Sequence, residues 1–144
     1  MAATVVSCSK DDDGAVTGSN PESLVGVWKS IYSISYEKVN GDWVQRSEQN
    51  GSPWGESHFL TLCANGRFSD ESGDEYIPGY YVSDEYWVYK NDRIYYSEVK
   101  GKISGAYAMW YVVSVSVTEL ILFTEPENST WKYMIHYTKI SDNP

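Results

Sequence analysis

Residues that favour helix are in short supply. Leu occurs 5 times and Ala 6 times in 144 residues, which argues against a helical bundle. Positive charge is also scarce: 11 Lys and Arg stand against 20 Asp and Glu, a formal charge of −9. An acidic chain without a concentrated basic stripe is repelled by phosphate backbones, so nucleic acid is not an expected partner. No run of 18 or more apolar residues occurs, so no membrane-spanning helix is expected. Only two cysteines and two histidines are present. Gly-x-Ser-x-Gly, a glycine-rich phosphate loop, His-Glu-x-x-His and Cys-x-x-Cys are all missing, and the chain reads as a non-enzyme with no cofactor.

What is abundant points one way. Val, Tyr, Ile, Thr, Trp and Phe together make 51 residues, the branched and aromatic types that suit a pleated, half-buried surface. The length fits one domain. From Leu24 onward, apolar runs alternate with turn signals at Asn40-Gly41, Asn50-Gly51, Asn65-Gly66, Asn91-Asp92 and Lys100-Gly101, with further breaks near Asp70–Glu75, at Thr118-Glu119 and at Pro126–Ser129. The intervals leave no room for the crossovers that parallel strands need.

Within the runs the period is two. Trp28, Tyr32, Ile34 and Tyr36 are expected on one face; so are Met109, Tyr111, Val113, Val115 and Val117; and so are Trp131, Tyr133, Ile135 and Tyr137. Segments 58–63, 67–72, 79–90, 93–99 and 119–125 read as further strands. The expected fold is all-β, an antiparallel up-and-down barrel of about eight strands, since closure hides the edges an open sheet would expose. A sandwich is the alternative pattern. His58 and Cys63 fall on opposite faces of a regular strand, which disfavours a metal site there, and none is expected. His136 reads as a solvated imidazole, and the acids Asp70, Glu71, Asp74 and Glu75 as a charged hairpin tip, without the spacing of a calcium loop.

Two regimes of sequence meet near residue 22. Residues 9–22 are polar, carry Gly and Pro, and show no periodicity, as in a flexible tether; residues 23–144 form the body. Val5-Val6-Ser7-Cys8 resembles the bacterial lipobox, and Asp11-Asp12-Asp13 resembles the acidic segment that follows the lipidated cysteine in surface lipoproteins of the Bacteroidetes. That resemblance implies acylation of Cys8 and an address at the outer membrane or surface of a Gram-negative cell, with the membrane met only through the lipid. Cys63 would then be left alone, a small buried hydrophobe with no intrachain disulfide.

In the body, Gly26-Val27-Trp28 looks like the Gly-x-Trp opening of lipocalin-like proteins. The run Phe59–Phe68 around Asn65-Gly66, then Gly79-Tyr80-Tyr81 and Trp87-Val88-Tyr89, and finally Leu120-Ile121-Leu122 with Trp131–Lys139 resemble the later hairpins of small lipocalin-like domains. The resemblance implies that Trp28 closes the barrel floor under a late cation, for which Lys139 is the nearest candidate. Tyr and Trp suit sites with one wet end, so Trp87, Tyr89, Tyr111, Tyr133 and Tyr137 are the expected lining for a small hydrophobic or glycan-like ligand. The alternative is a filled barrel that meets an envelope protein or polysaccharide through surface aromatics.

Overall fold

The computed structural model describes residues 20–76, 86–97, 107–124 and 129–142. Cys8, Asp11–Asp13, Gly79–Tyr81 and the Lys100-Gly101 turn lie outside them. Nine strands follow a single 3-10 turn at Glu22–Leu24: β1 (Gly26–Val39), β2 (Asp42–Asn50), β3 (Ser57–Leu62), β4 (Phe68–Gly73), β5 (Tyr86–Lys90), β6 (Arg93–Ser97), β7 (Tyr107–Val115), β8 (Glu119–Thr124) and β9 (Trp131–Ser141). All pairings are antiparallel, in the order β4-β3-β1-β9-β8-β7-β6-β5, with β2 beside β1.

β1 organises this order. Its first residues, Gly26 to Lys29, pair with Leu62 to Phe59 of β3, whereas Tyr32 to Val39 pair with Asn50 to Asp42 of β2. β2 and β3 therefore follow one path, interrupted by an excursion over residues 51–56. Counted as one, they make an eight-strand up-and-down meander. The β1–β2 hairpin turns at Asn40 and Gly41, both at positive φ, the geometry that Asn-Gly tolerates best. Its outer strand β2 is almost wholly exposed.

The sheet is nearly closed. β9 returns to β1 along most of its length, and the remaining gap lies between β4 and β5. There Arg67 and Tyr86 form one bridge and the Trp87 N–H donates to the Gly66 carbonyl at 2.8 Å. The Asn20 side chain adds to this seam. Its amide donates to the Trp87 carbonyl at 3.0 Å and accepts from the Tyr89 N–H at 3.0 Å, imitating a strand rung. Asn20, inside the stretch read as a tether, thus packs on the body.

Trp28 fills one end of the barrel, fully buried. Its indole N–H donates to the Leu24 carbonyl at 3.0 Å, so the 3-10 turn satisfies a group that would otherwise cost about 1–3 kcal/mol. Lys139, its register partner on β9, places Nζ 4.9 Å from the ring centroid. Trp87, also buried, donates its indole N–H to the Cys63 carbonyl at 2.9 Å. Leu60, Leu62, Phe68, Ile94, Trp110, Leu120, Leu122 and Ile135 complete the core.

Two bulges reset the alternation that regular strands would keep. In β1 the register slips between Ser30 and Tyr32. Trp28 and Ser30 face inward, but so do Ser33 and Ser35, paired with Ile135 and Tyr133; Tyr32, Ile34 and Tyr36 turn to the outer face instead of sharing that of Trp28. In β7 the slip falls between Val112 and Ser114. Trp110 and Val112 are buried, Tyr111 and Val113 are 37% and 43% exposed, and Val115 packs on the core. A bulged strand opposes two residues to one, which flips every later side chain. Asp70 and Glu71 also differ from expectation: they lie within β4, not at a hairpin tip. Cys63 is buried as expected, but it is disulfide-bonded and not a lone thiol.

Gly26 explains the spacing of Gly-x-Trp. It adopts φ +148°, and a Cβ there would stand 2.8 Å from the Ser141 carbonyl oxygen and 3.0 Å from Lys139 Cε. Gly26→Ala therefore lifts the lysine stem from Trp28 and is expected to lower stability by about 1–3 kcal/mol, read as a reduced urea midpoint at unchanged m-value.

Candidate functional site at the barrel mouth

Opposite the Trp28 end, polar groups enter an otherwise apolar interior. His58, Leu60 and Leu62 are successive inward positions of β3, paired on the same face with Ser72, Asp70 and Phe68 of β4. His58 is almost fully buried. Its backbone N–H donates to Ser30 Oγ at 2.8 Å. Its ring is held from both sides, with Nε2 3.1 Å from Asp70 Oδ1 and Nδ1 2.7 Å from the Tyr137 hydroxyl oxygen. When Nε2 donates to the carboxylate, a neutral imidazole accepts the phenol proton at Nδ1. Three side chains from β3, β4 and β9 thus form one hydrogen-bonded line.

Aromatic rings enclose the imidazole. Trp54, Tyr137 and Trp110 have centroids 5.3, 5.8 and 6.3 Å from that of His58, and Tyr133 lies 6.2 Å from Trp54. Trp54 belongs to the 51–56 excursion and is 50% exposed, yet its loop is firmly tied. Ser52 is buried; its hydroxyl donates to the Glu56 carbonyl and accepts the Trp54 N–H at 3.1 Å. The Gly51 N–H donates to the Ile31 carbonyl at 3.0 Å and the Gly55 N–H to the Ser52 carbonyl at 3.3 Å. This is a Ser-anchored turn that presents one large ring at the rim.

Ser33 is the one inward group here that lacks a partner. It is 1% exposed, and its Oγ makes no hydrogen bond. Its register partner Ile135 lies one inward step from Tyr133 and one from Tyr137. A buried hydroxyl left unpaired is uncommon and calls for an explanation.

No family model, curated protein or solved structure matches the chain. The site therefore rests on its own geometry. Of the residues expected to line it, Tyr133 and Tyr137 are present, the first at the rim and the second sealed beneath His58. Trp87 belongs to the β4–β5 seam. Tyr89 hydrogen-bonds Asp92 at the β5–β6 turn, 2.9 Å, toward the Trp28 end. Tyr111 points outward, its ring 5.3 Å from the Arg93 guanidinium, because Trp110 takes the inward position. Cys8 lies outside the described residues.

By sequence alone, His58 is weighed only as a metal ligand beside Cys63 and Asp70 only within a charged hairpin tip, and Trp54 and Ser33 have no role. A signal did exist for His58: it alternates with Leu60 and Leu62, so a histidine on a core face required buried partners. No local pattern links it to Asp70 or Tyr137, which are 12 and 79 positions away. Among the described residues no three His, Cys, Asp or Glu side chains gather as metal ligands.

Burial, seconded by the Asp70 charge, pushes the Tyr137 phenol well above its ordinary value of 10.0. The folded protein keeps this proton where the unfolded chain releases it. The resulting stability is fully present below about pH 10 and is lost as pH rises toward the folded value. Tyr137→Phe is expected to cost about 1–2 kcal/mol near neutrality through the lost hydrogen bond to His58. The variant's denaturation midpoint should fall less steeply than the parent's above pH 10. Some slope remains, since Tyr76 and Tyr89 are raised mainly by burial and Tyr32 mainly by its hydrogen bond to Glu48.

Proposed function

We propose that the chain is a non-enzymatic binding protein that takes a small ligand at the barrel mouth, displayed from the cell envelope through a lipid on Cys8. One observation carries the binding reading: a half-exposed tryptophan on a firmly tied loop, packed on a His–Asp–Tyr line whose imidazole and phenol are buried. Rings fixed before binding lose little freedom when a ligand arrives. Tyr137 is sealed from solvent, so its hydroxyl acts on His58 and not on a solute. Asp70 is partly exposed and pairs across the sheet with Leu60. This division, an orienting interior and an accessible edge, suits recognition.

The lipoprotein reading expects protein purified from its native host to carry lipid on Cys8. Mass spectrometry after iodoacetamide treatment tests this; unmodified Cys8 in membrane-free fractions defeats it.

A second reading, docking of an envelope protein or polysaccharide, draws on the outer face of β1, β8 and β9. There Tyr32 meets His136 at 5.4 Å and Tyr36 meets Phe123 at 5.9 Å. The two readings separate on one pair of variants. Trp54→Ala is expected to abolish the fluorescence response to an apolar probe such as anilinonaphthalene sulfonate and to leave the unfolding free energy within about 1 kcal/mol of the parent. Tyr36→Ala is expected to leave the response intact. The reverse pattern favours the outer face.

A further inference from the structure

The geometry points to a second site on the outer face of the sheet, where Lys132 and Lys38 receive the anionic group of an acidic saccharide. This rests on the outer-face docking reading, owes nothing to the mouth, and adds the chemical class.

Four adjacent strands build the site. Lys38 is the register partner of Trp43 across β1 and β2, and Tyr36 is that of Lys132 across β1 and β9. The Lys132 ammonium is set among three rings, 4.6 Å from the centroid of Phe123, 4.7 Å from that of Trp43 and 5.9 Å from that of Tyr36. Lys38 Nζ stands 5.5 Å from the same Trp43 ring, so one indole meets both ammoniums. Rings attract a cation through their quadrupole but leave its N–H donors open to an acceptor. Among the described residues neither ammonium has a hydrogen bond or an ion pair. Acids are near, but they are committed. Glu37, between Tyr36 and Lys38 in sequence, is held by Arg46 Nε at 2.9 Å. Glu48 accepts from the Tyr32 hydroxyl at 2.6 Å with one oxygen and from Gln45 at 2.9 Å with the other. In a chain of net charge −9, this panel keeps two positive charges uncompensated beside a half-buried indole.

Two such charges call for an anion, and the surroundings decide what carries it. The backbone here offers nothing, because β1 is paired with β2 on one side and β9 on the other, and β9 is paired again with β8. An acidic peptide laid on this face brings amides that find no partner. A lipid surface is broad and meets the whole acidic molecule, whose field opposes anionic headgroups. A slim chain meets the panel alone. A sugar ring bearing one anionic group suits it: the charge reaches the ammoniums, the C–H face rests against the half-buried rings of Trp43 and Tyr36, and the hydroxyls stay in water. A lysine is a point charge with rotatable donors and does not select carboxylate from sulfate. The shared chemistry is therefore an anionic saccharide.

The test titrates the full chain at low ionic strength with trigalacturonate, sulfated maltotriose, neutral maltotriose and triglutamate, following amide and indole NMR shifts. At least one of the two acidic saccharides is expected to bind, about tenfold or more tighter than maltotriose or triglutamate, and added salt should weaken it. Lys132→Gln and Lys38→Gln should each weaken binding roughly three- to tenfold, the scale of one partly exposed charge-assisted contact. Lys132→Arg should keep most of it. Lys38 is exposed, so Lys38→Gln reads the charge even where Lys132→Gln lowers the thermal midpoint. Lys90→Gln, an exposed lysine on β5, and Trp54→Ala at the mouth should change nothing. Equal loss from Lys90→Gln marks unspecific attraction and overturns the site; loss from Trp54→Ala moves binding to the mouth and also overturns it. Maltotriose binding that needs Trp43 but neither lysine overturns the anion and keeps the outer face. Triglutamate binding as tight as that of the saccharides overturns the sugar and keeps the face. No binding of any probe removes this assignment and the outer-face reading, and leaves the mouth untouched.

Discussion

The fold depends on β1 meeting three neighbours at once. Its lower half binds β3, its upper half binds β2, and its far edge binds β9 throughout. A fourteen-residue strand does this only because it slips register between Ser30 and Tyr32. Without the slip, Tyr32, Ile34 and Tyr36 would point into the barrel and fill the space that His58, Tyr137 and Tyr133 occupy. With it, the inward positions above Trp28 are serines. Small side chains in the wall are what leave room for a polar site in a core otherwise made of Leu, Ile, Phe and Trp.

The two ends of the barrel solve opposite problems with related means. At the Trp28 end the two large polar side chains are paired. The indole bonds Leu24, the lysine above it lies over the ring and pairs with Asp142 at 3.0 Å, and the glycine before it yields the space. At the mouth, satisfaction is partial. His58 is fully paired, but Asp70 keeps capacity and Ser33 has no partner.

The seam between β4 and β5 and the excursion at 51–56 show how side chains substitute for sheet. Asn20 supplies a rung where no strand pairs, and Ser52 supplies the turn that keeps Trp54 from swinging free. Both interrupt regular pairing, and both sit where an uninterrupted ladder would have closed the barrel more tightly. The Asn20 contact also ties the beginning of the described chain to its centre, 67 residues away.

Composition, period and turn dipeptides by themselves determined an all-β chain and its hairpins at Asn40-Gly41 and Asn91-Asp92. These follow from local causes: side-chain shape, turn chemistry and alternation act within a few residues. Tertiary structure alone decided which tyrosines face inward and where the polar site lies. Two bulges, at Ser30/Tyr32 and Val112/Ser114, reverse the phase of their strands, and a bulge is set by how neighbouring strands meet, not by the strand's own alternation. Tyr111 was placed outside by the inward demand of Trp110, its neighbour. His58, Asp70 and Tyr137 come from three strands, and Trp54 from a loop. Their meeting is a property of closure, because only when β9 returns to β1 does a phenol 79 residues distant reach the imidazole.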